Sequence, residues 1–315
     1  MPASPHAVAA RRHRLAVLAL IGCALLWSTA GVVTRHLDHA AGFELTFWRS
    51  VACVVFVIGY LVVTQRGRWL AAVTASGWPG LVSGVMWAVM FTCFMIALTL
   101  TTVAKTLVVL AIAPLLTALL ARIVLDEKIA PRTWFAIFAA GAGIVWMVRD
   151  GLGGGDPGSL WGMVVAAGVP LASAINLVNM KRQQARVDLV PAVLIGGLIS
   201  GVAMLPFVFP MQASPRDVLL LSALGVFQLA VPCIVMISAA RYLTPQETAL
   251  LALLEVVFGP LWAWLGAGER PATATLWGGG LILAALVANE VFAPRGRHVP
   301  GPGQAAKPSA LSPSR

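Results

Sequence analysis

The sequence predicts an all-α integral membrane protein: ten transmembrane helices arranged as two inverted five-helix repeats. Three observations carry this. Of the 315 residues, 59% are hydrophobic and 11% charged, against about 25% charged in soluble domains, and mean hydropathy is +0.88. A water-soluble fold has no interior large enough to hide that much apolar surface. The apolar residues fall in runs of bilayer-crossing length, and the cations collect between alternate runs.

The runs are bounded by charge, Gly or Pro and lie near residues 15–34, 44–64, 79–99, 102–123, 133–148, 159–179, 190–210, 217–239, 246–266 and 274–292. With a cytoplasmic N-terminus, the inside connections carry Arg11, Arg12, Arg14, Arg66, Arg68, Lys128, Arg132, Lys181, Arg182, Arg186, Arg241, Arg295 and Arg297, thirteen cations near span ends. The outside connections carry four: Arg35, Arg149, Arg216 and Arg270. The positive-inside bias therefore places both termini in the cytoplasm of a multi-pass inner (plasma) membrane protein.

The N-terminal arginines followed by an apolar stretch imitate a secretory signal, but the run is too long and nine more spans follow. Residues 1–14 read as a cytoplasmic segment, 15–150 as the first repeat and 158–292 as the second. Residues 293–315 are rich in Pro, Gly, Ser and Ala and read as a disordered cytoplasmic tail.

Sliding the chain by 142 residues lays "ALTLTTVAKTLVVLAIAPLLTALLARIVLDEK" on "AARYLTPQETALLALLEVVFGPLWAWLGAGER" without a gap. Thr102 meets Thr244, Thr106 meets Thr248, and the closing pair Glu127–Lys128 meets Glu269–Arg270. Five crossings separate the two pairs, an odd number, so they lie on opposite membrane faces and the repeats are inverted. Inverted repeats are the architecture of secondary transporters that rock around a midplane site.

"LLWSTAGVVTR" in the first span, "TFWRS" in the second, "PLLTALLARIVLDEK" in the fourth and "TPQETALLALLEVVFGPLWAWLGAGERP" in the ninth together resemble the drug/metabolite transporter superfamily, EamA type, over residues 15 to 292. The resemblance implies a ten-helix bundle whose first, third, fourth, sixth, eighth and ninth spans surround a central cavity. It also implies carriage of small metabolites, commonly the export of amino acids or related compounds. The family often has Pro directly after the carboxylate equivalent to Glu255, where this chain has Val256, and Arg49 of "TFWRS" has no counterpart in the seventh span.

The candidate substrate-binding or coupling residues are Glu255, Trp27, Arg49, Trp87, Phe91, Lys105, Asn176, Asn179, Gln228 and Glu247. Glu255 lies about ten residues from either end of its span, hence roughly 13 to 15 Å deep, too deep for a carboxylate to reach the interface. A buried charge there needs a cavity or a partner. Either a cavity position or a structural bond to Asn176, Asn179 or Gln228 would meet that need. Arg49 is within snorkelling reach of the outer surface and reads equally as anchor or internal ion pair. Lys105 and Glu247 occupy matching places near span ends and stay open between interface and cavity. Asn176 and Asn179 are neighbours on one helix face, and these two and Gln228 suit substrate or interhelical hydrogen bonds alike. Trp27, Trp87 and Phe91 fall in the first and third spans, the Trp residues too deep for an interfacial belt, so each either packs or lines a cavity. Pro114, Pro170, Pro232 and Pro260 sit inside spans, where each removes a backbone hydrogen bond and favours a kink.

No GxxxxGK[ST] phosphate loop occurs, which argues against ATP hydrolysis by this chain. The histidines, His6, His13, His36, His39 and His298, lie in tails or a loop, leaving no buried cluster for enzyme chemistry. Cys23, Cys53, Cys93 and Cys233 stand in different spans without CxxC spacing and read as packing residues. No cofactor or metal is expected, and the cations lack the clustered, aromatic-interleaved pattern of a nucleic-acid surface. The expected partners are a small-molecule substrate and the bilayer, with the chain a monomer or homodimer. A secondary transporter of small organic metabolites, working by alternating access, is the leading reading. A lipid flippase and a non-transporting scaffold or sensor are the alternatives.

Overall fold

The computed structural model describes residues 5–34, 36–40, 42–101, 106, 109–148, 157–183, 187–267 and 273–292. Lys105 and the expected tail, residues 293–315, lie outside them. Among the described residues every regular element is helical: α1 (Pro5–Trp27), α2 (Ala30–Thr34), α3 (Phe43–Thr64), α4 (Trp69–Leu100), α5 (Ala113–Leu125), α6 (Pro131–Val148), α7 (Pro157–Gln183), α8 (Val190–Met204), α9 (Pro215–Ala223), α10 (Val231–Ala239), α11 (Pro245–Ala252), α12 (Leu254–Ala267) and α13 (Thr273–Val291). Seven stretches are long and apolar enough to cross a membrane, and Ala113–Leu125 and Leu276–Asn289 are shorter apolar helices. The chain is a multi-pass membrane protein with a helical fold.

Several helices are broken inside their apolar runs, each for a local reason. Pro232 has no N–H, and its ring would meet the carbonyl four residues earlier, that of Gln228. The chain avoids this by widening into a π turn over Leu224–Ala230 that joins α9 to α10. Pro114 sits in the first turn of α5, after a tight turn in which Ile112 N–H donates to Val109 O at 3.2 Å. In α4, Gly77 takes φ 53° and ψ −150°, leaving the helical basin just before Trp78 and Pro79. Glycine alone adopts that conformation without strain. Pro170 lies inside α7, which continues through it.

Packing depends on glycines at crossings. A Cβ on Gly196 of α8 would stand 2.5 Å from the Trp87 Cβ of α4, and one on Gly143 of α6 would stand 2.8 Å from the Gly278 carbonyl of α13. Thus α4 lies between α7 and α8, while α6 and α13 form a pair of their own. Cys23, Cys53 and Cys233 are buried free thiols within the core, as expected of packing residues.

Two carboxylates stitch the loops at one end of the bundle. Asp217, fully buried in the first turn of α9, accepts from the backbone N–H of Asp38 (2.7 Å), His39 (3.0 Å), Ala40 (3.0 Å) and Ser214 (3.1 Å). In return Glu44 Oε1 of α3 accepts from Gln212 N–H at 2.8 Å and Ala213 N–H at 3.4 Å. Each loop thus has its orphan donors satisfied by the other's helix, as buried backbone groups require.

Candidate substrate cavity

Inside the bundle is a cavity of about 160 Å³, room for on the order of ten waters or a small organic solute. Its walls are mostly apolar and aromatic, with a few polar groups among them, the usual composition of a small-molecule site. Of the ten residues singled out in the sequence, Trp27, Arg49, Trp87, Phe91, Asn176, Gln228 and Glu255 line it. They come from the first, second, third, sixth, eighth and ninth apolar runs, and Leu110 and Ala113 add the fourth. The second run contributes through Arg49, which the six-helix cavity implied by the resemblance did not include.

Arg49 points inward and is 4% exposed, so it is no interfacial anchor. Its Nη2 donates to Gln228 Oε1 at 2.6 Å, and Gln228 Nε2 donates to the Trp27 carbonyl at 3.2 Å. The π turn sets up this geometry, because an inserted residue re-aims the side chains around it. Gly225 of the same turn lets the backbone approach: a Cβ there would lie 2.4 Å from the Arg49 carbonyl oxygen.

Glu255 faces the same cavity from the first turn of α12. It makes no hydrogen bond or ion pair among the described residues, and none of the three structural partners open to it in the sequence bonds to it. Ser83 Oγ donates to Asn176 Oδ1, Asn179 Nδ2 donates to the Pro79 carbonyl at 3.0 Å, and Gln228 serves Arg49 and Trp27. The helix breaks immediately before Glu255, at Leu253, although no proline follows the carboxylate. Leu253 N–H donates to Leu250 O at 3.1 Å and Val256 N–H to Leu253 O at 3.0 Å, a tightened 3₁₀-like step. Such steps within helices often mark hinges, and a helix start favours a carboxylate electrostatically.

The 142-residue offset pairs Leu110 with Ala252 and Ala113 with Glu255, and all four line the cavity. The tight turn before α5 and the step before α12 fall at matching positions as well. The interrupted helices therefore contribute equivalent walls, only one of which carries a carboxyl group.

Two candidates lie away from the cavity. Asn179 holds the backbone at the α4 kink. Glu247 completes a capping box at the start of α11: its Oε2 accepts from Thr244 N–H at 2.9 Å, and its own N–H donates to Thr244 Oγ1 at 3.2 Å. Glu247 also lies 4.0 Å from His13 Nε2 and within Coulombic reach of Lys181, whose Nζ donates to the Leu243 carbonyl at 2.9 Å. This charged group gathers at the end of the bundle opposite Asp217, since Asp217 and Tyr242 bound the same helical run, Pro215–Tyr242.

Met90, Phe94, Ser173 and Thr248 also line the cavity and were not singled out. The signal was present. Residues 87, 90, 91 and 94 follow the i, i+3, i+4, i+7 pattern of one helix face, and Ser173 stands one turn before Asn176.

The family model for EamA-like transporters matches residues 14–149 and 160–289. The chain belongs to the EamA-like transporter family and carries two copies of its unit. The chain is 26% identical over 253 residues to the pseudopaline exporter CntI of Pseudomonas aeruginosa in two strains, covering 78% of this chain and 84% of that protein. A crystal structure of a protein with 20% identity superposes with a TM-score of 0.75 over 90% of this chain and 98% of its own, a likeness of fold alone.

Proposed function

We propose that the protein is a secondary transporter that exports small organic metabolites, amino acids or related compounds, across the inner membrane by alternating access. It does so with ten spans in two inverted five-helix repeats and with both termini cytoplasmic. The observation that carries this is the cavity itself, walled at matching positions by two interrupted helices and bearing in Glu255 a carboxylate without a partner among the described residues. Export draws support from the relative named as an exporter. The orientation draws support from the charge count and from the grouping of His13, Lys181 and Glu247 at the end that count assigns to the cytoplasm.

In this reading each repeat supplies a hinge beside the cavity, and Glu255 is the group whose charge changes between loaded and empty states. The test is release of preloaded radiolabelled amino acids from proteoliposomes containing only this protein. Wild type should release solute faster than protein-free vesicles. Glu255→Gln keeps shape and hydrogen-bonding capacity but cannot ionise, so it should express and fold normally while losing at least about tenfold in flux, and Glu255→Asp should be milder. Wild-type release no faster than empty vesicles removes the transport reading. Full flux in the Gln variant removes the role given to the carboxylate.

A further inference from the structure

Two ties join the halves of the chain at opposite ends of the bundle, and they are built differently. At the Asp217 end the acceptors are carboxylates, 0% exposed for Asp217 and 5% for Glu44, and the donors are backbone N–H groups. Charge-assisted bonds of this kind, sheltered from water and anchored on backbone, are among the strong ones. At the other end side chain meets side chain. His13 Nε2 of α1 lies 4.0 Å from Glu247 Oε2, with 33% and 13% of those side chains exposed, and the Arg12 guanidinium stands 5.9 Å from the Tyr242 ring centre. Partly exposed contacts of this length are each worth little and exchange readily for water.

The weaker tie holds one end of a short rigid element. Helix α11 starts at the capping box that Glu247 completes and stops at the tightened step on Leu253. It packs against α1, α5 and α7, and its Thr248, Ala249 and Ala252 line the cavity. Lys181, one turn beyond the cavity residue Leu177, lies within Coulombic reach of Glu247 and of Glu127, which stands just past α5. Its Nζ donates to the Leu243 carbonyl just ahead of α11.

We propose that α11 is the cytoplasmic gate of the cavity: it swings about Leu253, Glu247 latches its start to α1 and α7 when it is shut, and the Asp217–Glu44 clasp is a fixed joint that stays closed throughout the cycle. This rests on the reading of the cavity as the transport site and on the cytoplasmic assignment of the His13 end. Water can take over each partner of the latch, whereas opening at the clasp would strip Asp38, His39, Ala40, Gln212 and Ala213 of the acceptors for their N–H groups. The capping bonds run within Thr244–Glu247, so α11 keeps its shape when the latch breaks and moves as one piece.

The experiment reads access to the cavity from each membrane face. Ala252→Cys places a thiol on the cavity wall of α11, and a membrane-impermeant maleimide added to either face of oriented vesicles reports how fast it is reached, against protein carrying only its native cysteines. Glu247→Gln keeps the capping bonds, since Gln serves in a capping box, but removes the charge that faces His13 and Lys181. It should speed labelling from the cytoplasmic face about two- to fivefold, the shift that loss of one exposed ion pair gives. Asp38→Asn removes the exposed contact with Arg216 at the clasp and leaves the Asp38 N–H in place, so it should not alter the rate. Bridging His13→Cys to Glu247→Cys with a reducible bifunctional thiol reagent should stop flux in proteoliposomes until reductant is added. Bridging Asp38→Cys to Arg216→Cys should leave flux at the unbridged level. If Glu247→Cys fails to fold, the labelling comparison on Glu247→Gln decides alone. Equal labelling with and without Glu247→Gln, faster labelling from the outer face only, or undiminished flux through the bridged inner pair overturns the gate. Flux lost on bridging the outer pair overturns the fixed joint. Labelling that responds to Glu247→Gln in protein without any flux removes the transport reading and leaves the gate.

Discussion

Replacing Gln228 by Leu leaves the Arg49 guanidinium without its 2.6 Å acceptor and the Trp27 carbonyl without its 3.2 Å donor. A hydrogen bond to a charged group is worth about 1.5–3 kcal/mol and a neutral one about 0.5–1.5 kcal/mol, so the single variant should lose about 2–4.5 kcal/mol. Arg49→Met removes the charge itself and strands only a neutral amide oxygen, about 1–3 kcal/mol. With both changes no buried charge is orphaned, and the double variant should be more stable than the sum of the singles predicts by about 1.5–3 kcal/mol. Equilibrium unfolding in mixed micelles, followed by tryptophan fluorescence and circular dichroism, measures all four corners of the cycle. Additivity within about 0.5 kcal/mol would refute the reasoning, since it would mean that cavity water replaces the amide at no cost and that Gln228 does not hold Arg49.

The loop clasp yields a contrast between two conservative changes. Asp217→Asn should cost about 2–3 kcal/mol in thermal unfolding, because both carboxylate oxygens accept backbone N–H groups and the new amide nitrogen cannot; Glu44→Gln should be nearly neutral, because Oε1 alone takes both donors. Gly225→Ala should push the π turn away from α3, since its Cβ would meet the Arg49 carbonyl at 2.4 Å; a crosslink between these helices, scored against wild type, should form more slowly. Accessibility reporters at Arg186 and at the C-terminus should read cytoplasmic and one at Gly154 external. Gly154 and Arg186 on the same side would remove a crossing between them.

The membrane class, the helical runs and several polar and aromatic groups of the cavity wall were legible in the sequence because they rest on periodicity and desolvation, which act locally. Glu255 announced itself as a carboxylate too deep to reach water, and Trp27 and Trp87 as rings too deep for an interface. Glu247 was ambiguous for the opposite reason: its depth fits an interface or a cavity. What settles its position is the Thr-Pro-x-Glu pattern of a capping box, Thr244 to Glu247, a signal that Ser214 to Asp217 repeats with Asp. Arg49 could not be resolved by depth at all. Its orientation depends on which helix face meets α8 and the π turn, and that is decided by Gly197, Gly201 and Gly225, each close to residues of α3. Periodicity alone does not report which glycine meets which neighbour.

The cavity combines a symmetric scaffold with an asymmetric set of charges. The breaks before α5 and α12 and the wall pairs Leu110–Ala252 and Ala113–Glu255 repeat across the 142-residue offset. Glu255 does not repeat, since its partner is an alanine, and Arg49 stands in the first half only. In the proposed alternating-access cycle, such matching breaks would let the two halves exchange roles between inward-open and outward-open states. A solute with unlike ends needs the reverse, walls that differ. If both halves carried Glu255, two carboxylates would share one small cavity and repel each other along with any anion that entered. Ala113→Glu should therefore lower flux in the proteoliposome assay with the Arg49–Gln228 pair still in place, and flux equal to wild type would refute this account of the alanine.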